Sequence, residues 1–365
     1  VVCPSGNEIV PSLELVDPAV AAVHRDALIA AVVGDVVAVV ALLAEVDHAI
    51  TAPRRRGLAV LARREHQADR DDAPPCHPGL LPRRYTVVLA GLLMVTLAAA
   101  SWGTWSLFLR PTGLPPSVTS PLLFLVMGLV ALPFALRAPR VAWTRRKVLL
   151  ILANTAFDVL NILTFFAAIH VTTVAIAVLS HYVAPILIAL AAPKIDGTPS
   201  KGTVPAAMVA LAGLVIILEP WATPADGAAL GATLGVLSAT CYAGNMFTVR
   251  RLALEVGATK AMSYHSLLGA VVLAPLLVVY PGSIAAEDAA LFFTGAAVIG
   301  AGSGVMFAVG VARIGSARAA VLTFAEPLVA VAVGVLVWEE PLRPLAIVGG
   351  ALVLGAGIHV ARKKR

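Results

Sequence analysis

The sequence predicts an all-helical integral membrane protein, with ten transmembrane helices arranged as two inverted five-helix repeats. Three observations lead there. Apolar residues come in blocks of about 18–24, each long enough to span roughly 30 Å of hydrocarbon. Basic residues gather at alternate ends of those blocks, and the second half of the chain repeats the first.

The first observation separates this chain from soluble proteins. Its 365 residues are 59% hydrophobic and 13% charged, with a mean hydropathy of +0.90. A soluble domain is nearer half apolar and a quarter charged. The net charge of +6 belongs to residues at the ends of apolar runs rather than to a separate basic domain. A lipid bilayer is therefore the expected partner and a nucleic acid is not. Cys3, Cys76 and Cys241 have no CxxC spacing, so neither a disulfide framework, a metal site nor a cofactor is expected.

Residues 1–82 differ from the rest, with seven arginines, many acids and a proline cluster at Pro74, Pro75, Pro78 and Pro82. They lack the order of basic start, short apolar core and small-residue cleavage site that marks a signal peptide. Ala27–Ala44 is apolar but centred on Asp35. As a span it would bury an unpaired carboxylate, whereas as a surface helix or a poorly ordered segment it would not. The simpler expectation is an extension with no part in the core function.

From Tyr85 the pattern is regular. The expected spans are 86–109, 117–136, 148–169, 172–192 and 203–220 in a first repeat covering 83–220. Those of the second repeat, 221–365, are 228–249, 260–280, 289–311, 317–338 and 344–361. The links are short and carry Pro, Gly or charge, as turns at an interface do. With this division, 18 Lys and Arg residues fall on one side and only Arg110 and Arg343 on the other. A missed or invented span would invert every later loop and destroy that split. The positive-inside rule places both ends of the core in the cytoplasm.

The repeat is visible in paired segments. Val178–Ala192 reads VLSHYVAPILIALAA, and a second copy, Val321–Val335, VLTFAEPLVAVAVGV, aligns with it at an offset of 142 through the prolines. Pro185 matches Pro327, Tyr182 matches Phe324, and Ala184 matches Glu326. SWGTWSLFLR (Ser101–Arg110) likewise matches CYAGNMFTVR (Cys241–Arg250), and ALAGL (Ala210–Leu214) matches LGAGI (Leu354–Ile358). Five spans per half is an odd number, so the second half is upside down relative to the first. Inverted repeats of this kind are typical of secondary transporters, with the site near mid-membrane between the halves.

These features resemble the EamA-type family of the drug/metabolite transporter superfamily over Tyr85 to Arg365. The two five-helix halves, the paired prolines and the stretch AVLTFAEPLVAVAVGVLVWEEPL (Ala320–Leu342) carry the resemblance. It implies a ten-helix inner-membrane carrier, usually an exporter of amino acids or related small metabolites. The first half departs from the pattern: it has no Glu before Pro185, and the acid after its fourth span is Asp196 in PKIDG.

Polar residues inside the spans are the site candidates. Asp158 would cost about 2.5–3.5 kcal/mol in a bilayer unless paired or hydrated. Asn154, Asp158, Asn161 and Phe165 recur at three- and four-residue steps and share one helix face. That face either lines a cavity or makes one interhelical hydrogen bond. His181 and Tyr182 stand before a proline. His181 is either a satisfied structural residue or, with an intramembrane Asp, half of a proton-sensitive pair. Glu326, beside Pro327, either binds a cation or substrate amine or bonds a neighbouring helix. Trp102 and Trp105 in the first span, and Tyr242 and Asn245 in the sixth, occupy equivalent positions, and either mark the headgroup belt or stack on a solute. Tyr264 and His265 are expected at the interface. GAGSG (Gly300–Gly304) lacks the lysine and the strand–turn–helix setting of a phosphate loop, so close helix packing is the better reading, as for Gly231 and Gly235.

The expected function is therefore solute transport by alternating access, around a central site between spans three, four, eight and nine, driven by a proton or solute gradient. An integral membrane enzyme would need clustered acids, His or Cys at one interface, such as DxxD or HExxH. A sensor would need a structured soluble domain, which residues 1–82 do not resemble. No catalytic residue is expected. The solute's identity and the oligomeric state are not written in the sequence.

Overall fold

A computed structural model describes residues 83–199, 201–222, 226–278 and 284–362. The Ala27–Ala44 segment and the rest of residues 1–82 lie outside the described residues. Among the described residues the secondary structure is helical, with no strand.

Helix forms in all ten expected segments, and several are broken. The first comprises α1 (Arg83–Trp102) and α2 (Ser106–Leu109), the second α3 (Pro116–Arg137), and the third α4 (Arg145–Val171). The fourth is split into α5 (Val174–His181) and α6 (Ala184–Ile195), and the fifth is α7 (Thr203–Leu218). The second half runs α8 (Ala228–Glu255), α9 (Ala258–Leu273) with the short α10 (Pro275–Val278), then α11 (Ala286–Gly295). A π-helical turn, Ala296–Gly302, joins α11 to α12 (Ser303–Ile314). The ninth segment is split into α13 (Ser316–Leu322) and α14 (Ala325–Val337), and α15 (Pro344–Arg362) closes the core.

Local chemistry sets several of these ends. Pro116 at the start of α3 lacks an N–H that would have had no helical partner there, and its fixed φ suits a first turn. Thr144 and Thr173 cap α4 and α5, accepting from the backbone N–H of Lys147 and Ile176 at 3.4 Å each.

Eight of the helical segments are long and apolar enough to cross a membrane. The two others are Thr203–Leu218, apolar but only 16 residues, and the 28-residue Ala228–Glu255. Their outward faces suit lipid. Leu89, Leu93 and Leu97 line one face of α1 at four-residue steps and are each about half exposed. An apolar stripe of that size would be a liability in water and is normal against acyl chains.

The halves interlock by a regular scheme. α4 lies along α8, α3 along α9, α1 against α12, α6 against α13 and α7 against α15. In segment order the partners are third with sixth, second with seventh, first with eighth, fourth with ninth and fifth with tenth. Exchanging the halves leaves this set of partnerships unchanged. Apolar lipid gives helices no reason to associate by hydrophobicity alone, so close packing of small residues must do it. Gly213 on α7 shows the closeness: a Cβ there would sit 2.6 Å from the Gly349 carbonyl oxygen on α15.

Asp196 ties the halves together at the end of the bundle that carries most basic residues. Its side chain is fully buried. Oδ1 accepts from the Thr198 N–H at 3.1 Å and from the Thr198 hydroxyl. Oδ2 accepts from Ser316 Oγ at 2.5 Å and lies 3.5 Å from Arg250 Nη1. Ser316 and Arg250 both belong to the second half. At the opposite end the cross-half pair is exposed: Arg110 meets Glu340 at 2.6 Å with about half of each side chain in solvent.

Candidate substrate cavity

Pro185 and Pro327 do structurally what their sequence positions suggest. Proline has no N–H to continue an i to i−4 ladder and its ring crowds the preceding turn. The chain accordingly leaves the helix at Tyr182–Val183 between α5 and α6, and again at Thr323–Phe324 between α13 and α14. The two breaks face each other, with the rings of Tyr182 and Phe324 5.3 Å apart between centroids.

A cavity of about 400 Å³ opens beside these breaks, walled by both halves. That is the size of a small-metabolite site. Of the side chains singled out from the sequence, Trp102, Trp105, Asp158, Asn161 and Phe165, and His181, Tyr182, Tyr242, Asn245 and Glu326, lie on its wall, and Asn154 does not. Asp158 and Glu326 are its two carboxylates. No Lys or Arg lies among the described residues that line it.

Two polar groupings hold the wall. Ser238 Oγ on α8 sits 2.8 Å from Asn161 Oδ1 and 2.8 Å from His181 Nδ1, binding α4, α5 and α8 together. Tyr182 and Glu326, one from each broken segment, both line the cavity. Asp158 Oδ2 lies 3.2 Å from His265 Nε2 on α9. Around His181 the rings of Phe165, Tyr182 and Tyr242 stand 5.0, 5.7 and 5.4 Å away, giving the cavity an aromatic side.

Trp102 is placed by the π-helical turn. Its indole Nε1 donates to the Ile299 carbonyl at 3.2 Å, and its ring lies 4.8 Å from that of Phe307. Such turns inside longer helices often occur at functional sites. Just after Trp102 the first segment bends at Gly103, which is buried against the start of α14. A Cβ there would collide with the Glu326 carbonyl oxygen and lie 2.8 Å from the Ala330 nitrogen.

The profile of the EamA-like transporter family matches this chain twice, over residues 89–219 and 229–361. The chain belongs to the EamA-like transporter family. This family lies within the drug/metabolite transporter superfamily, and the protein is a multi-pass membrane transporter of a small molecule. It is similar to a protein of Archaeoglobus fulgidus described as an uncharacterized transporter. The two are 29% identical over 274 residues, which cover 74% of this chain and 96% of that one. A solved crystal structure shares the fold with a TM-score of 0.64 at 20% identity, covering 75% of this chain and 97% of its own.

Sequence reasoning placed three of the transporter's residues differently. His265, expected at the interface, is 2% exposed and on the cavity wall, because α9 turns this face toward α4. Asn154, expected on the cavity-lining stripe, is fully buried between α4 and α8, where its Oδ1 accepts from Thr248 Oγ1 at 2.7 Å. The stripe therefore divides, with one member making an interhelical bond and the other three facing the cavity. The proton-sensitive pairing considered for His181 and Asp158 is also replaced, since His181 pairs with Ser238 and Asp158 with His265. Tyr264 does stack near the end of the bundle, its ring 5.5 Å from that of Trp143. Ser238 was missed altogether. A serine in an apolar helix is a weak signal until its neighbours are known.

Proposed function

We propose that this transporter is a secondary carrier that exports amino acids or related amine-bearing metabolites by alternating access, its ten helices forming two inverted five-helix repeats. One observation carries the reading. The two proline-broken segments, equivalent in the repeat, meet ring to ring at a cavity walled by both halves. The partnerships between helices also survive exchange of the halves. With five spans in each half, such an exchange relates the two faces of the membrane, so closing one end and opening the other are equivalent rearrangements.

The cavity's chemistry supports the solute class. Two carboxylates without a facing Lys or Arg favour a cationic group, and an ammonium is the smallest common one in metabolites. The aromatic side formed by Phe165, Tyr182 and Tyr242 suits an apolar body and attracts a cation to its ring faces. Asn161 and Asn245 supply amides that can donate to a solute carboxylate. Glu326 would hold the amine. The buried Asp196 cluster closes the basic end, which the charge distribution places in the cytoplasm, and the exposed Arg110–Glu340 pair closes the other less firmly.

Proteoliposomes test this directly. Wild type should exchange labelled amino acids across the membrane, and Glu326→Gln should cut that exchange at least tenfold. If wild type moves no member of an amino-acid and amine panel faster than empty liposomes, the carrier reading is wrong. If exchange is unaffected by Glu326→Gln, the carboxylate is structural.

A further inference from the structure

The Asp158–His265 contact has a consequence that follows from hydrogen-bond chemistry alone. His265 Nδ1 lies 2.8 Å from the Ala261 carbonyl oxygen. A carbonyl only accepts, so Nδ1 carries a hydrogen and the ring's tautomer is fixed. The other ring nitrogen, Nε2, then faces Asp158 Oδ2 at 3.2 Å. A bare Nε2 and a bare carboxylate would oppose two lone pairs in a site of low dielectric, which is unfavourable. A proton held between them, either as Nε2–H donating to the carboxylate or as a carboxylic acid donating to Nε2, removes that opposition. Both forms leave the pair with no net charge, and loss of the proton leaves it with one negative charge.

The surroundings hold the pair in place. Thr155 Oγ1 on α4 donates to the His265 carbonyl at 3.3 Å, and Ser263 Oγ on α9 donates to the Gly128 carbonyl of α3 at 3.0 Å. The edge of Phe124 covers the imidazole at 6.2 Å between centroids. Ser266 Oγ stands 3.5 Å from Nε2, and α3 contributes no titratable group to the cavity wall. The other titratable groups on that wall are His181, Tyr182, Tyr242 and Glu326. Lys260, earlier on α9, is turned away to the Ala138 and Pro139 carbonyls. The His265 side chain is 3% exposed and that of Asp158 is 21% exposed, so water reaches the pair through the carboxylate's cavity side.

We infer that Asp158 and His265 form a proton-binding site of the transporter, loaded and emptied through the solute cavity. This deepens the carrier reading and rests on it for its use. If the cavity opens to one face at a time, the pair equilibrates with the pH of whichever face it sees. Each cycle then carries a proton between compartments. Asp158 is in the first half and His265 in the second, so the site spans the interface that alternating access must rearrange.

The proton site and the carrier reading separate experimentally. Isotope-labelled histidine in the full chain, in lipid nanodiscs, gives nitrogen spectra in which His265 is assigned by its loss in His265→Gln. The expected result is Nδ1–H in wild type, and an Nε2 resonance that moves in Asp158→Asn, where its carboxylate partner is gone. The opposite tautomer in wild type, or an Nε2 resonance unmoved by Asp158→Asn, overturns the site. Proteoliposomes with a labelled mixture of protein amino acids supply the second arm. A one-unit pH gradient should raise accumulation about tenfold over equal pH for each coupled proton, and His265→Gln should bring that ratio to one. Exchange at equal pH with no response to the gradient in wild type overturns coupling at this site. Absence of any exchange overturns the carrier reading, and the spectra still decide the proton site.

Discussion

Asp196→Asn is the most informative single change in the closed end of the bundle. The amide keeps the shape and its oxygen can still accept both bonds from Thr198. The nitrogen stands where Oδ2 was, facing Ser316 Oγ and, at 3.5 Å in the native protein, Arg250 Nη1. Ser316 can rotate to accept, but the guanidinium cannot. A hydrogen bond to a charged group contributes about 1.5–3 kcal/mol, and stripping one partner from a buried pair costs about 3–5 kcal/mol. Arg250 keeps 17% of its side chain in solvent, which favours the low end. The expected loss is about 3 kcal/mol, or roughly two decades in the folding equilibrium. Reversible unfolding in bicelles reads the stability, and a double-mutant cycle with Arg250→Gln isolates the pair. A loss under about 1 kcal/mol, with no coupling to Arg250, would refute the view that Asp196 locks the halves.

Three further changes probe other joints. Gly235→Val places a side chain where even a Cβ would collide with Ser180 Oγ and sit 3.1 Å from the Ala177 carbonyl oxygen. Overpacking of this kind costs about 1–3 kcal/mol, read as a lower unfolding midpoint. Thr248→Val removes the donor to the buried Asn154 Oδ1, whose amide nitrogen already lacks a partner. The stability loss should be about 1–3 kcal/mol, with exchange kinetics unchanged when normalised to folded protein. Arg110→Gln removes the exposed pair with Glu340 and the guanidinium's contact with the Trp338 ring at 5.2 Å, and should change stability by less than about 2 kcal/mol.

The contrast between what the sequence revealed and what it hid has a physical origin. Segment positions were legible because a bilayer demands long apolar runs, and Pro185 and Pro327 announced their breaks because proline cannot complete a helical ladder. The 142-residue offset shared by the two prolines pairs those breaks in the sequence itself. Rotation of each helix was not legible. Lipid and protein interior are both apolar, so a membrane helix carries little amphipathic signal to say which face turns inward. His265 was therefore misplaced although its segment was found, and Asn154 was assigned to the cavity with the rest of its stripe. The π-helical turn at Ala296–Gly302, which positions Trp102, has no sequence signature that was used. Ser238 illustrates the same limit, because its value lies in joining Asn161 to His181, residues far from it in sequence.

The central claim is that the two halves alternate access to one cavity, and distances at the two ends measure it most directly. In a background with the native cysteines replaced, spin labels would be placed at positions 194 and 254 at the basic end, and in a second protein at 111 and 342 at the opposite end. All four positions are exposed. The account expects two distance populations at each end, with Asp196→Asn shifting the basic-end pair to longer distances and the opposite-end pair to shorter ones. A single distribution at both ends, the same in wild type and Asp196→Asn, would contradict alternating access between these halves.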